Sequence, residues 1–153
     1  MASRAEHLDD IKEGVEIGSL AEIVGFHIRL AHGAVYRHFT ETFVDLDLTQ
    51  KQVSVLWLIN EQRGISQIEV GQRLSMDRAT TMTIINRLQD RAFVRRERSA
   101  SDGRKQALYL TPEGEDALRE AKAAVAQHEA WLKGRFSPAE VEKLVEMLSR
   151  IHD

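Results

Sequence analysis

The starts of helices are unusually clear in this sequence, and they constrain its fold more than any other feature. Ser, Thr and Asp side chains accept hydrogen bonds from the unpaired backbone N–H groups of a first helical turn. Four segments fit the capping box, in which a Glu or Gln three residues later bonds back to the cap: Ser19–Glu22, Thr49–Gln52, Ser66–Glu69 and Ser137–Glu140. Two further caps are Asp77 and Thr111, and both prolines of the chain follow caps, at 112 and 138. These starts predict helices at Ser19–Val44, Gln50–Gln62, Gln67–Leu74, Arg78–Arg91, Pro112–Gly134 and Pro138–Ile151.

One segment is predicted to be β-structure. Two strand-like runs, Phe93–Arg98 and Lys105–Leu110, flank a polar stretch that ends in Asp102-Gly103, a turn signal. We therefore predict a mainly α fold with a small β-hairpin. The expected organisation is one intertwined domain. Residues 1–18 form a partly ordered leader, residues 49–110 form a lobe, and residues 19–48 and 111–153 supply the remaining helices.

Only three residues separate the third and fourth predicted helices. A short helix at Gln67–Leu74, a tight turn at Ser75–Asp77 and a second helix at Arg78–Arg91 form a helix-turn-helix. The hairpin that follows would form a wing beside it. In such a unit the second helix enters the major groove of duplex DNA.

The second helix of this unit has two distinct faces when its residues are placed at 100° intervals. Its predicted core side carries Thr81, Ile84, Ile85 and Leu88. Its outward side carries Ala79, Met82, Thr83 and Asn86, flanked by Arg78, Thr80 and Arg87. The outward side lacks the Glu and Lys residues usual on a solvated helix, and its groups suit base edges and phosphates. The alternative for Met82 is packing on a partner helix.

Positive charge is concentrated in the same part of the chain. The formal net charge is −3, yet Arg78–Lys105 contains eight cations and three anions. That stretch therefore carries +5 and the remainder −8. A basic block in an acidic protein is typical of a confined DNA-binding face, although a solvated, charge-rich helix end and hairpin would give the same count.

The stretch Asp102–Gly114, DGRKQALYLTPEG, resembles the wing signature of the MarR family of winged helix-turn-helix transcription regulators. Thr80 and Arg87 also fall where the family's recognition helix keeps similar residues, and the resemblance extends from about residue 19 to 151. It implies that Arg104 enters a narrow minor groove with Lys105 beside it. Asp102 is expected to pair with a nearby Arg and fix the tip. Ala92 departs from the family pattern, which commonly has Gly at the end of the recognition helix.

The resemblance also assigns the first, fifth and sixth helices to a homodimer interface. Apolar residues near the C-terminus support this independently, because a lone helix pair could not hide all of them: Leu132, Phe136, Val141, Leu144, Val145, Leu148 and Ile151. A twofold dimer implies a palindromic operator whose half-sites lie about 34 Å apart.

A candidate ligand-binding face lies on the first predicted helix. Arg29, His32 and Tyr36 share one side of it and could hold the carboxylate and ring of an aromatic acid. Alternatively, they bond across the dimer interface or face water. The segment Gly25–His32 resembles MarR-type regulators of hydroxycinnamate and related aromatic-acid degradation, which implies an aromatic acid or its coenzyme A thioester as effector.

Other functional classes have less support. The absence of cysteine excludes thiolate metal sites and disulfides. His27, His32 and His38 are five and six residues apart, spacings that suit no shared ion, so no metal is predicted, although a metal-responsive regulator remains an alternative. No enzyme motif occurs, and neither catalysis nor a cofactor is expected. A winged-helix module for protein contacts is the second alternative. Without an apolar run long enough to span a membrane or a signal peptide, we expect a cytoplasmic location.

Overall fold

The computed structural model describes residues 17–153, which divide after Arg37 into two units that are described separately. The first unit holds a 3₁₀ turn at Gly18–Glu22 and most of helix α1 (Val24–Thr42). The predicted helix start at Ser19 is wrong. Ser19 lies inside the 3₁₀ turn and lacks the extended backbone that a cap requires, and extended backbone at Ile23 separates the turn from α1. The predicted leader lies almost wholly outside the described residues.

The second unit contains the remaining elements in the predicted order. After a 3₁₀ turn at Val44–Leu46 come α2 (Gln50–Glu61), α3 (Gln67–Arg73), α4 (Arg78–Asp90), β1 (Val94–Arg98), β2 (Gln106–Leu110), α5 (Pro112–Lys133) and α6 (Pro138–His152). The mainly helical fold with one antiparallel hairpin is thereby confirmed. Thr49, Ser66 and Ser137 each form both bonds of their capping boxes. In residues 17–153, no helix is both long and apolar enough to cross a membrane.

The hairpin is fixed to the rest of the second unit through β2. The register of its two strands pairs Val94 with Leu110 and Arg98 with Gln106. On its other edge, Leu108 accepts a hydrogen bond from the Gly64 N–H (3.0 Å) and donates one to the Ile65 carbonyl (2.9 Å). The segment before α3 therefore forms an isolated antiparallel bridge to β2, between Ser66 and Ala107, which the sequence did not predict.

A single apolar core joins the helix-turn-helix to the hairpin. Side chains that are fully buried come from α2, α3, α4 and β2, and include Leu56, Ile59, Val70, Ile85, Leu88 and Leu108. Helices α3 and α4 approach closely at Gly71, where an added Cβ would lie 2.9 Å from Thr81 Oγ1. Only a residue without a side chain fits that spacing, which holds α4 against its scaffold.

The base of the hairpin is anchored to the start of α5. The Thr111 N–H donates to the Phe93 carbonyl (3.1 Å), and the Thr111 hydroxyl donates to the Ala92 carbonyl. Gly114 lies so close to Phe93 that an added Cβ would be 2.0 Å from its carbonyl oxygen. Ala92, between α4 and β1, has a left-handed φ of 60°. The exit from α4 therefore adopts the left-handed conformation that favours Gly, although the residue here is Ala.

A cluster of aromatic rings joins the end of α1 to α5. His128 is buried, and its Nδ1 lies 2.8 Å from Nδ1 of His38, whose ring stacks on Trp131 at 4.0 Å. Burial lowers the pKa of His128, and the neighbouring His38 lowers it further. Its own burial and the half-buried His38 beside it therefore both favour a neutral His128.

Candidate nucleic-acid interface

The first turn of α4 is held by an acidic cap. The Asp77 carboxylate accepts hydrogen bonds from the Thr80 N–H (2.7 Å) and the Thr80 hydroxyl (2.8 Å). Both bonds stabilise the charged carboxylate and lower the pKa of Asp77 below its usual range. Because a hydroxyl has one hydrogen to donate, Thr80 is committed to Asp77 in this state. The Thr80 hydroxyl would therefore have to give up its bond to Asp77 before it could donate a hydrogen bond to DNA.

The two faces of α4 are arranged as the sequence predicts. Thr81, Ile84, Ile85 and Leu88 are buried. The outward residues Ala79, Met82, Thr83, Asn86 and Arg87 are exposed, as is Arg78 at the first position of the helix. Met82 exposes 48% of its surface, although an apolar residue of its size is usually buried. No acidic residue occurs in α4 before Asp90, so this exposed surface carries only neutral and positive groups.

Asn86 is linked to the wing. Arg96 Nη2, on β1, donates a hydrogen bond to Asn86 Oδ1 at 2.6 Å. Arg96 is half-buried, whereas Asn86 is exposed. A charged donor at this distance forms a strong hydrogen bond. The amide of Asn86 is therefore already oriented by the protein itself.

The tip of the wing carries the three predicted residues Asp102, Arg104 and Lys105, all exposed. The Asp102 carboxylate accepts the Arg104 backbone N–H (3.0 Å), and the Asp102 carbonyl accepts the Lys105 N–H (3.0 Å). Asp102 thus fixes the turn through backbone groups rather than through the predicted pairing with an arginine side chain. This bonding leaves the Arg104 guanidinium to project from a defined turn.

An open groove between α3 and α4 continues the exposed surface beyond Arg78. Gln67, Gln72 and Ile68 line it, and Ile68 exposes 52% of its surface. These residues were not predicted from the sequence. The side-chain amides of Gln67 and Gln72 can donate hydrogen bonds to phosphate oxygens, a common role of Gln at DNA interfaces.

The predicted ligand-binding residues lie together on α1, within the first unit. Arg29, His32 and Tyr36 are exposed, and the rings of His32 and Tyr36 have centroids 6.4 Å apart. The Arg29 guanidinium lies 5.3 Å from the ring centroid of Phe26, a cation–π contact. The first unit therefore presents a cation and three aromatic rings, those of Phe26, His32 and Tyr36, along one helix.

The histidines considered as metal ligands have other partners. His27 Nε2 lies 2.6 Å from the Ala21 carbonyl, and His38 pairs with His128. Across the described part of the chain, no group of three His, Cys, Asp or Glu side chains is placed to hold a metal ion.

Comparisons with known proteins point to one family. A model of the MarR family matches residues 46–105. Transcriptional regulator HosA of Escherichia coli O157:H7 is 31% identical, over 69% of this chain and 78% of HosA. The transcriptional repressor CouR, solved bound to a 23-mer DNA duplex, is 31% identical with a TM-score of 0.86, over 91% of this chain and 99% of that one. The chain belongs to the MarR family.

A third MarR-type relative was solved with a small molecule. CouR from Rhodococcus jostii RHA1 bound to p-coumaroyl-CoA is 26% identical with a TM-score of 0.79, over 86% of this chain and 93% of that one. This chain is therefore a transcriptional regulator of the MarR type, and its named relatives are regulators rather than enzymes.

The residue of this MarR-type interface that sequence reasoning missed most clearly is Arg96. The sequence does contain an indication that Arg96 faces inward. Side chains alternate along a strand, so Arg96 lies on the same side as the buried Val94. That alternation indicates an inward-facing arginine, but it does not identify Asn86 as the partner.

Proposed function

We propose that this MarR-type regulator is a ligand-responsive repressor that binds a palindromic duplex operator as a homodimer. The observation that carries the proposal is the outward face of α4. Ala79, Met82, Thr83 and Asn86 present methyl, thioether and amide groups on an exposed helix that contains no acid before its last residue. Such groups match the methyl, donor and acceptor pattern of the major groove.

Cations around this face would position it on the phosphate backbone. Arg78 and Arg87 flank the helix face, and Lys105 extends from the wing tip. Arg104, on a turn fixed by Asp102, suits a narrow minor groove, where negative potential is enhanced. The net charge of +5 between residues 78 and 105 supports this division between base contacts and phosphate contacts.

The proposed dimer uses the terminal helices, residues 19–48 and 111–153, to hold two DNA-binding lobes in register. No residue of α6 is buried, and Val145, Leu148 and Ile151 remain 60%, 41% and 65% exposed. An apolar helix face of this kind is expected to be covered by a partner. The proposal includes a cytoplasmic location, because the DNA target lies there.

We propose an aromatic acid or its coenzyme A thioester as the effector that releases DNA. One line of support is the cation of Arg29 beside the rings of His32 and Tyr36. A second is that CouR, a relative of this chain, was solved bound to p-coumaroyl-CoA. Differential affinity of the ligand for the free and DNA-bound states would couple the two sites.

The first test is selection of bound duplexes from a random pool, followed by affinity measurements over a range of salt concentrations. Asn86→Ala should relax preference at one base pair by about 1–3 kcal/mol. Arg104→Ala should weaken binding to most sequences and reduce the salt slope by about one. Lys143→Ala, on exposed α6, is the matched control and should leave both quantities unchanged. Absent or salt-insensitive binding would favour the protein-interaction module instead.

The second test titrates p-coumarate, ferulate, benzoate and their coenzyme A thioesters against the operator complex. At least one should release the DNA, and Arg29→Ala should weaken that release more than Arg37→Ala, an exposed arginine on the same helix. Indifference of the complex to all of these compounds would contradict the proposed effector class.

A further inference from the structure

Arg96 occupies the side of β1 that packs toward α4. Strand alternation places it with the buried Val94, and the register pairs it with Leu108, which has no exposed surface. Its guanidinium reaches past this apolar layer to Asn86 Oδ1, 2.6 Å away. The contact therefore connects the inner side of the wing to the outward face of the recognition helix.

This contact removes an ambiguity in the Asn86 side chain. An Asn amide can present either its oxygen or its nitrogen to a given neighbour, whereas an arginine has only donors. Arg96 therefore fixes Oδ1 on its own side and directs Nδ2 away from the wing. A readout group held in one orientation before binding loses less freedom when it meets its target.

Packing alone does not account for an arginine at this position. Arg96 Nε is buried and has no hydrogen-bond partner in residues 17–153. A buried N–H without a partner opposes folding, and an apolar side chain of similar length would avoid that penalty. The hydrogen bond from Nη2 to Asn86 is the feature that an apolar side chain could not supply.

We propose that Arg96 is a positioning residue for sequence recognition, which holds the Asn86 amide in the orientation that discriminates between base pairs. The proposal rests on the proposed function, because it requires Asn86 to meet a base edge. It differs from a phosphate-contact role, in which Arg96 would contribute charge to every sequence equally.

The test compares Arg96→Met with Arg98→Met on the selected operator and on single-base variants of it. Arg98 lies two residues along the same strand and is exposed, so both substitutions remove one charge from β1. Arg96→Met should lower discrimination at the Asn86-dependent base pair by about fivefold to tenfold, the lower end of the range for one bidentate contact. Arg98→Met should weaken all sequences alike.

A double-substitution cycle separates positioning from independent contributions. Adding Arg96→Met to Asn86→Ala should cause no further loss of discrimination, because the amide that Arg96 orients is already absent. Arg96→Lys keeps the charge, but its shorter side chain would not reach Asn86 Oδ1 in the same geometry, so discrimination should fall while the salt slope stays that of the unsubstituted protein. Additive losses, or a uniform loss across sequences, would overturn the proposal, as would tighter operator binding by Arg96→Met.

A measurement without DNA tests the contact itself. In nitrogen–proton correlation spectra of the free protein, the Asn86 side-chain amide pair should shift in Arg96→Met and stay unchanged in Arg98→Met. An unmoved Asn86 pair would overturn the positioning role. If the unsubstituted chain failed to bind duplex DNA, the proposed function itself would fall, whereas binding with additive losses would overturn only the role of Arg96.

Discussion

Side chains at the candidate interface differ in how far their hydrogen bonds are already committed. The Thr80 hydroxyl donates to Asp77, so it has no second hydrogen for a phosphate. Met82 and Thr83 are exposed. Asn86 lies between these cases, because Arg96 engages its oxygen while its nitrogen keeps two hydrogens. Substitution of Thr80 would therefore disturb the start of α4 before it disturbed any DNA contact.

His128 gives the free energy of unfolding a dependence on pH. Its folded pKa is lowered by burial and by His38, whereas the unfolded chain protonates near its ordinary pKa of about 6.5. Below that pH the unfolded state binds more protons, so the free energy of unfolding falls as the pH falls, until the folded pKa is passed. Urea unfolding followed between about pH 8 and pH 5 should show this loss.

Two substitutions test the assignment of this slope to His128. His128→Gln should flatten the dependence, because the titrating ring is gone. His152→Gln, which removes an exposed ring at the end of α6, should leave it intact. A slope that survives in His128→Gln would show that other groups dominate the acid sensitivity.

At the scale of elements, the caps explain why helix boundaries could be predicted from the sequence. A capping box involves residues three apart, so Thr49, Ser66 and Ser137 determine their bonds locally. Ser19 carries the same pattern but lies in a 3₁₀ turn, because the pattern does not specify backbone conformation. Pairings such as Arg96 with Asn86 or His38 with His128 depend on tertiary packing and could not be predicted.

The backbone of Ala92, at the junction between α4 and β1, is strained, and a single substitution should relieve that strain. Ala92 has a φ of 60°, a left-handed conformation that costs an L-residue with a Cβ about 1–2 kcal/mol. Ala92→Gly should therefore raise the free energy of unfolding by about 0.5–1 kcal/mol, after allowance for the greater freedom of Gly in the unfolded chain. Urea denaturation measures the change.

Ala123→Gly provides the matched control for this junction. Ala123 is exposed in the middle of α5, where the same substitution should cost about 1 kcal/mol. Equal destabilisation at both sites would contradict the strain assigned to Ala92.

At the scale of the whole molecule, a basic segment and an exposed apolar helix occur in one chain. The sequence predicted this division through charge distribution and the apolar residues of the last helix, and α6 in fact has no buried residue. In the proposed dimer, a second chain would have to cover these apolar side chains. That is why the assignment of residues 19–48 and 111–153 to the dimer remains a prediction.

Charge placed on α6 should oppose the proposed dimer. Val145→Glu should raise the dissociation constant of the dimer at least about tenfold, because a carboxylate would lose its hydration in an apolar interface. Sedimentation velocity measures this constant. Lys143→Glu introduces the same carboxylate about 200° around the helix and should leave association unchanged. Unaltered association of Val145→Glu would contradict the use of this face.

Because the base of the hairpin is attached to α5, a rotation of that helix would be magnified at the tip of the wing. Thr111 bonds to both Ala92 and Phe93, and Gly114 packs against Phe93, so the base of the hairpin is held against the first turn of α5. The two five-residue strands extend about 16 Å from this base to the tip. A tilt of about 10° at the first turn of α5 would thus displace the tip by roughly 3 Å, comparable to the length of a hydrogen bond. If Arg104 occupies a groove as proposed, a small rotation of α5 would then be enough to move it out of that groove.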